Sequence, residues 1–105
     1  MRRGEVRWYR FGKPDKKRPV LVLTRDSALD FLNEVTVAPI TTTVRDIPTE
    51  VLLDETDGMP QRCAVNLDHL QTVSQRALGP IITTVDEETL KDVAGALSFA
   101  LALWE

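Results

Sequence analysis

The hydrophobic pattern of this chain changes period once, at Asp86. Before it, apolar residues come in short runs rich in Val, Ile and Thr, separated by Gly, Pro, Asp and Asn, as strands and turns are. After it, Leu90, Val93, Ala94, Leu97, Leu101 and Trp104 recur at helical spacing. Many short strands followed by one helix predict a mainly β protein. The sheet must be small, antiparallel and strongly bent, or an open barrel, with the C-terminal helix packed on it. The length of 105 residues fits a single domain over 1–105.

The segments follow from local chemistry. EVRWYRF (5–11) mixes aromatics with charge and predicts a half-exposed strand. GKPDKK (12–17) predicts a loop. PVLVLT (19–24) is continuously apolar and predicts a buried strand, with Pro19 in its first position. Asp26 or Ser27 is expected to cap a short helix. EVTVAPITTT (34–43) predicts a strand with a bulge or edge at Pro39, and TEVLLD (49–54) the next. DETDGMP (54–60) reads as a solvated loop, CAVNL (63–67) and QTV (71–73) as strands around a bend, and PIITTV (80–85) as a strand or a helix entrance. Asp86 is the expected N-cap of the last helix, with Glu87 and Glu88 complementing its dipole. Phe99, Ala100, Ala102 and Leu103 make that helix apolar nearly all round. The sheet can cover one side only, which predicts a homodimer.

Charge is unevenly placed. Residues 1–18 hold eight cations and two acids, although the whole chain carries −3. A general nucleic-acid binder is basic throughout. A cationic patch on an acidic body suits an anionic ligand held in one place, or else is a solvated terminus. The apolar stretch 93–104 is too short to span a bilayer and no apolar run follows Met1, so a soluble cytoplasmic protein without membrane contact is expected. The single cysteine, Cys63, excludes an intrachain disulfide.

Most catalytic constellations are missing. Cys63 and His69, if extended between, lie about 20 Å apart at about 3.3 Å per residue, far beyond nucleophile–base reach. Cys63 is therefore expected to be a small buried hydrophobe. No spaced His/Cys cluster for a metal, P-loop or dinucleotide motif is present, so no cofactor is expected.

RRGEVRWY, KRPVLVLTRD, VAPITT, IPTEVLL and CAVNLDHLQTV, in that order, resemble successive segments of the MazF/PemK toxins, ribosome-independent endoribonucleases of bacterial toxin–antitoxin pairs. The resemblance covers nearly the whole chain. It implies an SH3-like barrel, a symmetric dimer, metal-independent cleavage of single-stranded RNA, and a cognate antitoxin that lays an acidic tail on the cationic groove. By the same resemblance, Arg18 and Thr41 occupy the catalytic positions. Lys13, Lys16 and Lys17 would guide phosphate to Arg18. Thr42 and Arg45 are candidate phosphate contacts, and Tyr9 is a candidate stacking residue.

The chemistry is consistent with those residue types. Metal-free RNA cleavage uses the ribose 2′-OH as nucleophile and builds charge on phosphorus. A guanidinium offers a planar fork of donors to that charge, and a threonine hydroxyl can donate to a non-bridging oxygen. Arg18 is a poor base, since a guanidinium does not give up its proton readily. The base is where this chain departs from the family. Its first loop lacks the Glu-Gln pair of many relatives, leaving Asp15 alone, and His69 stands where many relatives have Gln. Imidazole titrates near 6.5, so His69 is the candidate base or RNA reader. A CcdB-like gyrase poison and a passive SH3-like binding module remain the alternatives.

Overall fold

A computed structural model describes residues 1–12 and 16–103. Lys13, Asp15 and Trp104 lie outside the described residues. The strands are β1 (Glu5–Phe11), β2 (Lys16–Val22), β3 (Glu34–Thr41), β4 (Glu50–Leu53), β5 (Cys63–Asn66), β6 (Gln71–Ser74) and β7 (Ile81–Thr84). They form one curled sheet in the order β4-β5-β3-β2-β1-β7, with β6 also beside β3, and every pairing is antiparallel. A short helix α1 (Asp26–Leu29) follows β2, and α2 (Glu87–Leu101) closes the described fold. Mainly β with a C-terminal helix is the expected architecture, and β7 resolves the 80–85 ambiguity as a strand.

The continuous apolar run of β2 is explained by two cores. Leu21 and Leu23 join Val6, Ala38, Ile40, Leu53, Val65 and Val93 of α2 in one cluster. Val20 and Val22 face the other way, into a cluster with Leu29, Val35, Val37 and Val73. Both faces of β2 are thus covered, and alternation of side chains needs apolar residues at every position.

Three boundaries differ from expectation. β2 begins at Lys16, so Lys16, Lys17 and Arg18 are strand residues paired respectively with Phe11, Arg10 and Tyr9 of β1. Pro19 is consequently inside β2. It is tolerated because its partner Trp8 turns its backbone the other way: Trp8 N–H donates to Pro80 O (3.3 Å) and Trp8 O accepts from Gly79 N–H (2.8 Å). The β2–β3 ladder starts only at Val20–Pro39, so Pro19 lacks no partner on that side either. Pro39 sits where β3 changes partner, its pairing with β6 ending at Val37 and its pairing with β5 starting at Ile40. It occupies a local edge within a central strand.

The second difference is α1. Its N-cap is Arg25, without a side-chain cap, and the Asp26 carboxylate instead accepts from Arg3 N–H at 2.7 Å. The third is the acidic loop, which forms a 3-10 turn at Glu55–Asp57. Asp54 accepts from Thr56 N–H, and Asp57 accepts from Asp54 N–H (3.0 Å), a reciprocal cap. At α2 Asp86 does cap the helix, accepting from Thr89 N–H at 2.8 Å. Val93 and Ala96 of α2 are buried, while Phe99, Leu101 and Leu103 stay at least half exposed (50%, 52% and 65%). No helix among the described residues is long and apolar enough to cross a membrane.

Candidate active site

Strand register assembles the site. The β2–β3 ladder runs Val22–Val37, Leu21–Ala38, Val20–Pro39. Continued two steps past its end, the same register sets Arg18 opposite Thr41. The β3–β5 register pairs Ile40 with Val65, and β4–β5 pairs Glu50 with Asn66. Residues opposite each other in antiparallel strands share a face. Arg18, Pro39, Thr41, Asn66 and Glu50 therefore converge from four strands.

Two adjoining clefts open there. The smaller, about 180 Å³, is lined by Arg18, Thr41, Thr43, Arg45, Glu50, Asn66 and His69 above the floor of Pro39 and Ile40. The larger, about 370 Å³, is walled by Trp8, Lys17, Thr42, Met59, Pro60 and Gln61. Arg18, Ile40, Thr41 and Thr43 belong to both. The cationic start of β2 thus lies at the boundary between two concave surfaces.

The Arg18 side chain is exposed and makes no hydrogen bond or ion pair with the described residues. Its donors are available to a ligand. Thr41 Oγ1 accepts from Thr43 N–H at 3.0 Å, which fixes the oxygen and leaves the hydroxyl hydrogen to donate elsewhere. The loop from Thr42 to Thr49 is held by Glu50, whose Oε1 accepts from Arg45 N–H (2.9 Å) and Asp46 N–H (3.1 Å). Asp46 takes a left-handed φ of 55° there. The bend after β5 is held by Asn66: its Oδ1 accepts from Asp68 N–H (3.0 Å) and its Nδ2 lies 3.0 Å from His69 Nδ1. Thr49 Oγ1 donates to Asp68 Oδ2 at 2.6 Å and ties the bend to the loop.

The structure brings Arg18, Thr41, Arg45 and His69 to one cleft, and Lys17 and Thr42 to its neighbour. Lys16 is exposed one step before Lys17 and lines neither. Tyr9 pairs directly with Arg18 across β1–β2 but packs edge-on against Phe11, ring centroids 4.7 Å apart, and lines neither cleft. Cys63 is 3% exposed at the back of the larger cleft, and burial, then the Asp57 and Asp54 charges, push its thiol up. That suits a packing role. No group of three or more His, Cys, Asp or Glu side chains among the described residues is arranged to hold a metal ion. Glu50, Asn66, Met59 and Gln61 were not anticipated. A charged residue opening the apolar strand EVLL was the available signal for Glu50. Residues 26–33, between β2 and β3, line neither cleft.

Known proteins share this architecture. A family model described as "PemK-like, MazF-like toxin of type II toxin-antitoxin system" matches residues 2–101. A Mycobacterium tuberculosis protein named "Probable endoribonuclease MazF5" is 38% identical over 100 residues, covering 94% of this chain and 91% of that one. Among solved structures, the Mycobacterium tuberculosis toxin MazF-mt6 superposes with a TM-score of 0.86 at 37% identity, covering 93% of this chain and 96% of that one. An endoribonuclease in complex with its cognate antitoxin, from a mycobacterial species, superposes with a TM-score of 0.88 at 28% identity, covering 98% and 96%.

Proposed function

Because the chain belongs to the PemK-like, MazF-like toxin family of type II toxin–antitoxin systems, we propose that it is a sequence-selective endoribonuclease toxin that cuts single-stranded RNA without a metal ion. The observation that carries this reading is the meeting of Arg18 and Thr41 at the junction of two clefts. Each offers donors that the described protein does not consume.

The scissile phosphate sits between them. The 2′-oxygen attacks phosphorus, and negative charge grows on the non-bridging oxygens. Arg18 presents paired N–H donors to one oxygen and Thr41 donates its hydroxyl to another. Donors fixed in advance stabilise charge that appears only in the transition state, at no cost of reorganisation. The leaving 5′-oxygen takes a proton from Arg18 or from water. Lys17 and Arg45 flank the strand backbone on either side, with Lys16, Lys13, Thr42 and Tyr9 as outer contacts. His69 contacts the RNA from the smaller cleft.

A single domain over 1–105 forms the catalytic unit and acts in the cytoplasm. Two copies pair through the apolar surface at the end of α2, where Phe99, Leu101 and Leu103 stand at least half exposed. A relative is known in complex with its cognate antitoxin. The cation-lined clefts here suit an acidic, extended antitoxin tail competing with RNA. A gyrase poison and a passive module, left open by the sequence, draw no support from endoribonuclease relatives.

The test is cleavage of a long single-stranded transcript in excess EDTA, with fragment ends mapped. Cuts at one recurring short sequence, leaving a 5′-hydroxyl and a cyclic or 3′-phosphate, are expected. Absence of cleavage by the folded, antitoxin-free protein, or 5′-phosphate ends, overturns the reading.

A further inference from the structure

Asn66 determines what His69 can do. The Asn66 amide has two ends, and its orientation is set by the backbone: Asp68 N–H must donate to Oδ1, at 3.0 Å. The opposite end, Nδ2, is a donor only, and it faces His69 Nδ1 at 3.0 Å. Nδ1 must therefore accept. The imidazole is then held in the tautomer that carries its hydrogen on Nε2. A base in this position would need a lone pair on its free nitrogen, which would put a hydrogen on Nδ1, against the Asn66 donor. Protonation to imidazolium would create the same clash. In the tautomer that this contact accepts, His69 has one N–H to give, on Nε2. A glutamine amide at this position would offer the same: an uncharged donor.

The proton acceptor must come from elsewhere in the cleft. Among the described carboxylates, Asp54, Glu55, Asp57 and Asp68 line neither cleft. Glu50 lines the smaller cleft with Arg18 and Thr41 and is the cross-strand partner of Asn66. One carboxylate oxygen, Oε1, is fixed by two backbone N–H groups. The other oxygen has no hydrogen bond to the described residues. We propose that Glu50 is the proton acceptor of this site, and that His69, locked by Asn66, is a neutral hydrogen-bond donor that recognises an acceptor atom of the RNA.

This rests on the endoribonuclease reading. The step balances: the 2′-O–H proton passes to the free oxygen of Glu50 as the 2′-O–P bond forms and the P–O5′ bond breaks. The 5′-oxygen leaves with a proton from water, or from Arg18, which then regains one from solvent, and Glu50 returns its own proton to solvent. The charged and titratable groups facing Glu50 are Arg18, Arg45 and His69 around the cleft, and Lys91 and Asp92 of α2 in the groove on its far side.

Glu50→Gln is the decisive variant, because its amide oxygen still accepts from Arg45 and Asp46 N–H and keeps the loop in place. Single-turnover cleavage of a defined transcript by Glu50→Gln is expected to slow about 100-fold or more, with KM little changed and the acid limb of the pH–rate profile gone. His69→Gln is expected to keep that limb and to change KM. The chain has one histidine, so nitrogen-15 NMR of labelled protein reads its tautomer without assignment. The Nε2–H form is expected, shifting toward Nδ1–H in Asn66→Asp, where a carboxylate can accept. Wild-type rate and profile in Glu50→Gln overturn the role of Glu50. An Nδ1–H tautomer in the wild type, or loss of the acid limb in His69→Gln, overturns the role of His69. A wild type that cuts no RNA sinks the endoribonuclease reading and Glu50's role with it, while the tautomer is still decided by NMR.

Discussion

Arg18 and Thr41 each lie two residues beyond Val20–Pro39, the last pair of the β2–β3 ladder, and line the same two clefts. Neither residue belongs to that ladder. Both strands are anchored in cores on two faces, and then both run out into the same pair of clefts. The rigid part of the sheet aims two side chains that remain free to meet a ligand. This is how a buried aliphatic run comes to carry positive charge at its mouth.

On the proposed mechanism the Thr41 hydroxyl does two jobs, and two measurements separate them. Thr41→Ser keeps both the acceptor for Thr43 N–H and a donor for phosphate, and should cleave RNA within a few-fold of wild type. Thr41→Val loses both. It should lose about 1 kcal/mol of stability from the broken loop bond and at least tenfold in cleavage rate. Denaturant melts and single-turnover rates on the same samples check the two effects.

Gly58 closes the 3-10 turn in a left-handed conformation, φ 91°. A Cβ there would run into Thr83 Oγ1, which donates to Asp57 O at 2.8 Å. Gly58→Ala should destabilise the fold by about 1–3 kcal/mol, measured by urea unfolding.

Much of the fold was legible and much of the site was not, for one physical reason. Period is local: the strand pattern of residues 5–85 and the helical spacing from Leu90 are written in consecutive residues. Register is not. Glu50 meets Asn66 only because β4 and β5 pair as they do, and no short stretch of sequence states that pairing. Resemblance pointed to Arg18 and Thr41, and the β2–β3 register explains how they come to line the same clefts. The early start of β2 was hidden because Lys16–Arg18 lie on its exposed end, where burial leaves no hydrophobic mark.

Asp86 predicts a pH effect with a definite sign. Its carboxylate accepts from Thr89 N–H, and that bond holds it below its ordinary value of 3.8. A lowered folded-state value means the carboxylate stabilises the fold above its unfolded titration. That contribution is lost as pH falls through the folded value. Asp86→Asn keeps an acceptor but does not titrate. Its stability should therefore vary less with pH than wild type below about pH 4, as followed by melts across an acid series.

Cys63 should behave as a core residue despite its place behind the larger cleft. Burial pushes its thiol up, and the Asp57 and Asp54 charges add to the shift. The thiolate is the reactive form. Alkylation by iodoacetamide at neutral pH should be slow in the folded protein and at least tenfold faster in denaturant, measured by mass. Equal rates would place the thiol outside the core.

The most direct test of the central claim compares wild type, Arg18→Ala and Arg18→Lys on one transcript in excess EDTA. Arg18 is exposed and unpaired among the described residues, so neither substitution should move the melting temperature. Removal of a fixed transition-state donor should slow cleavage by about 100-fold or more. Lysine, a point charge without the planar fork, should recover only a small part. Cleavage at the wild-type rate by folded Arg18→Ala would contradict the account.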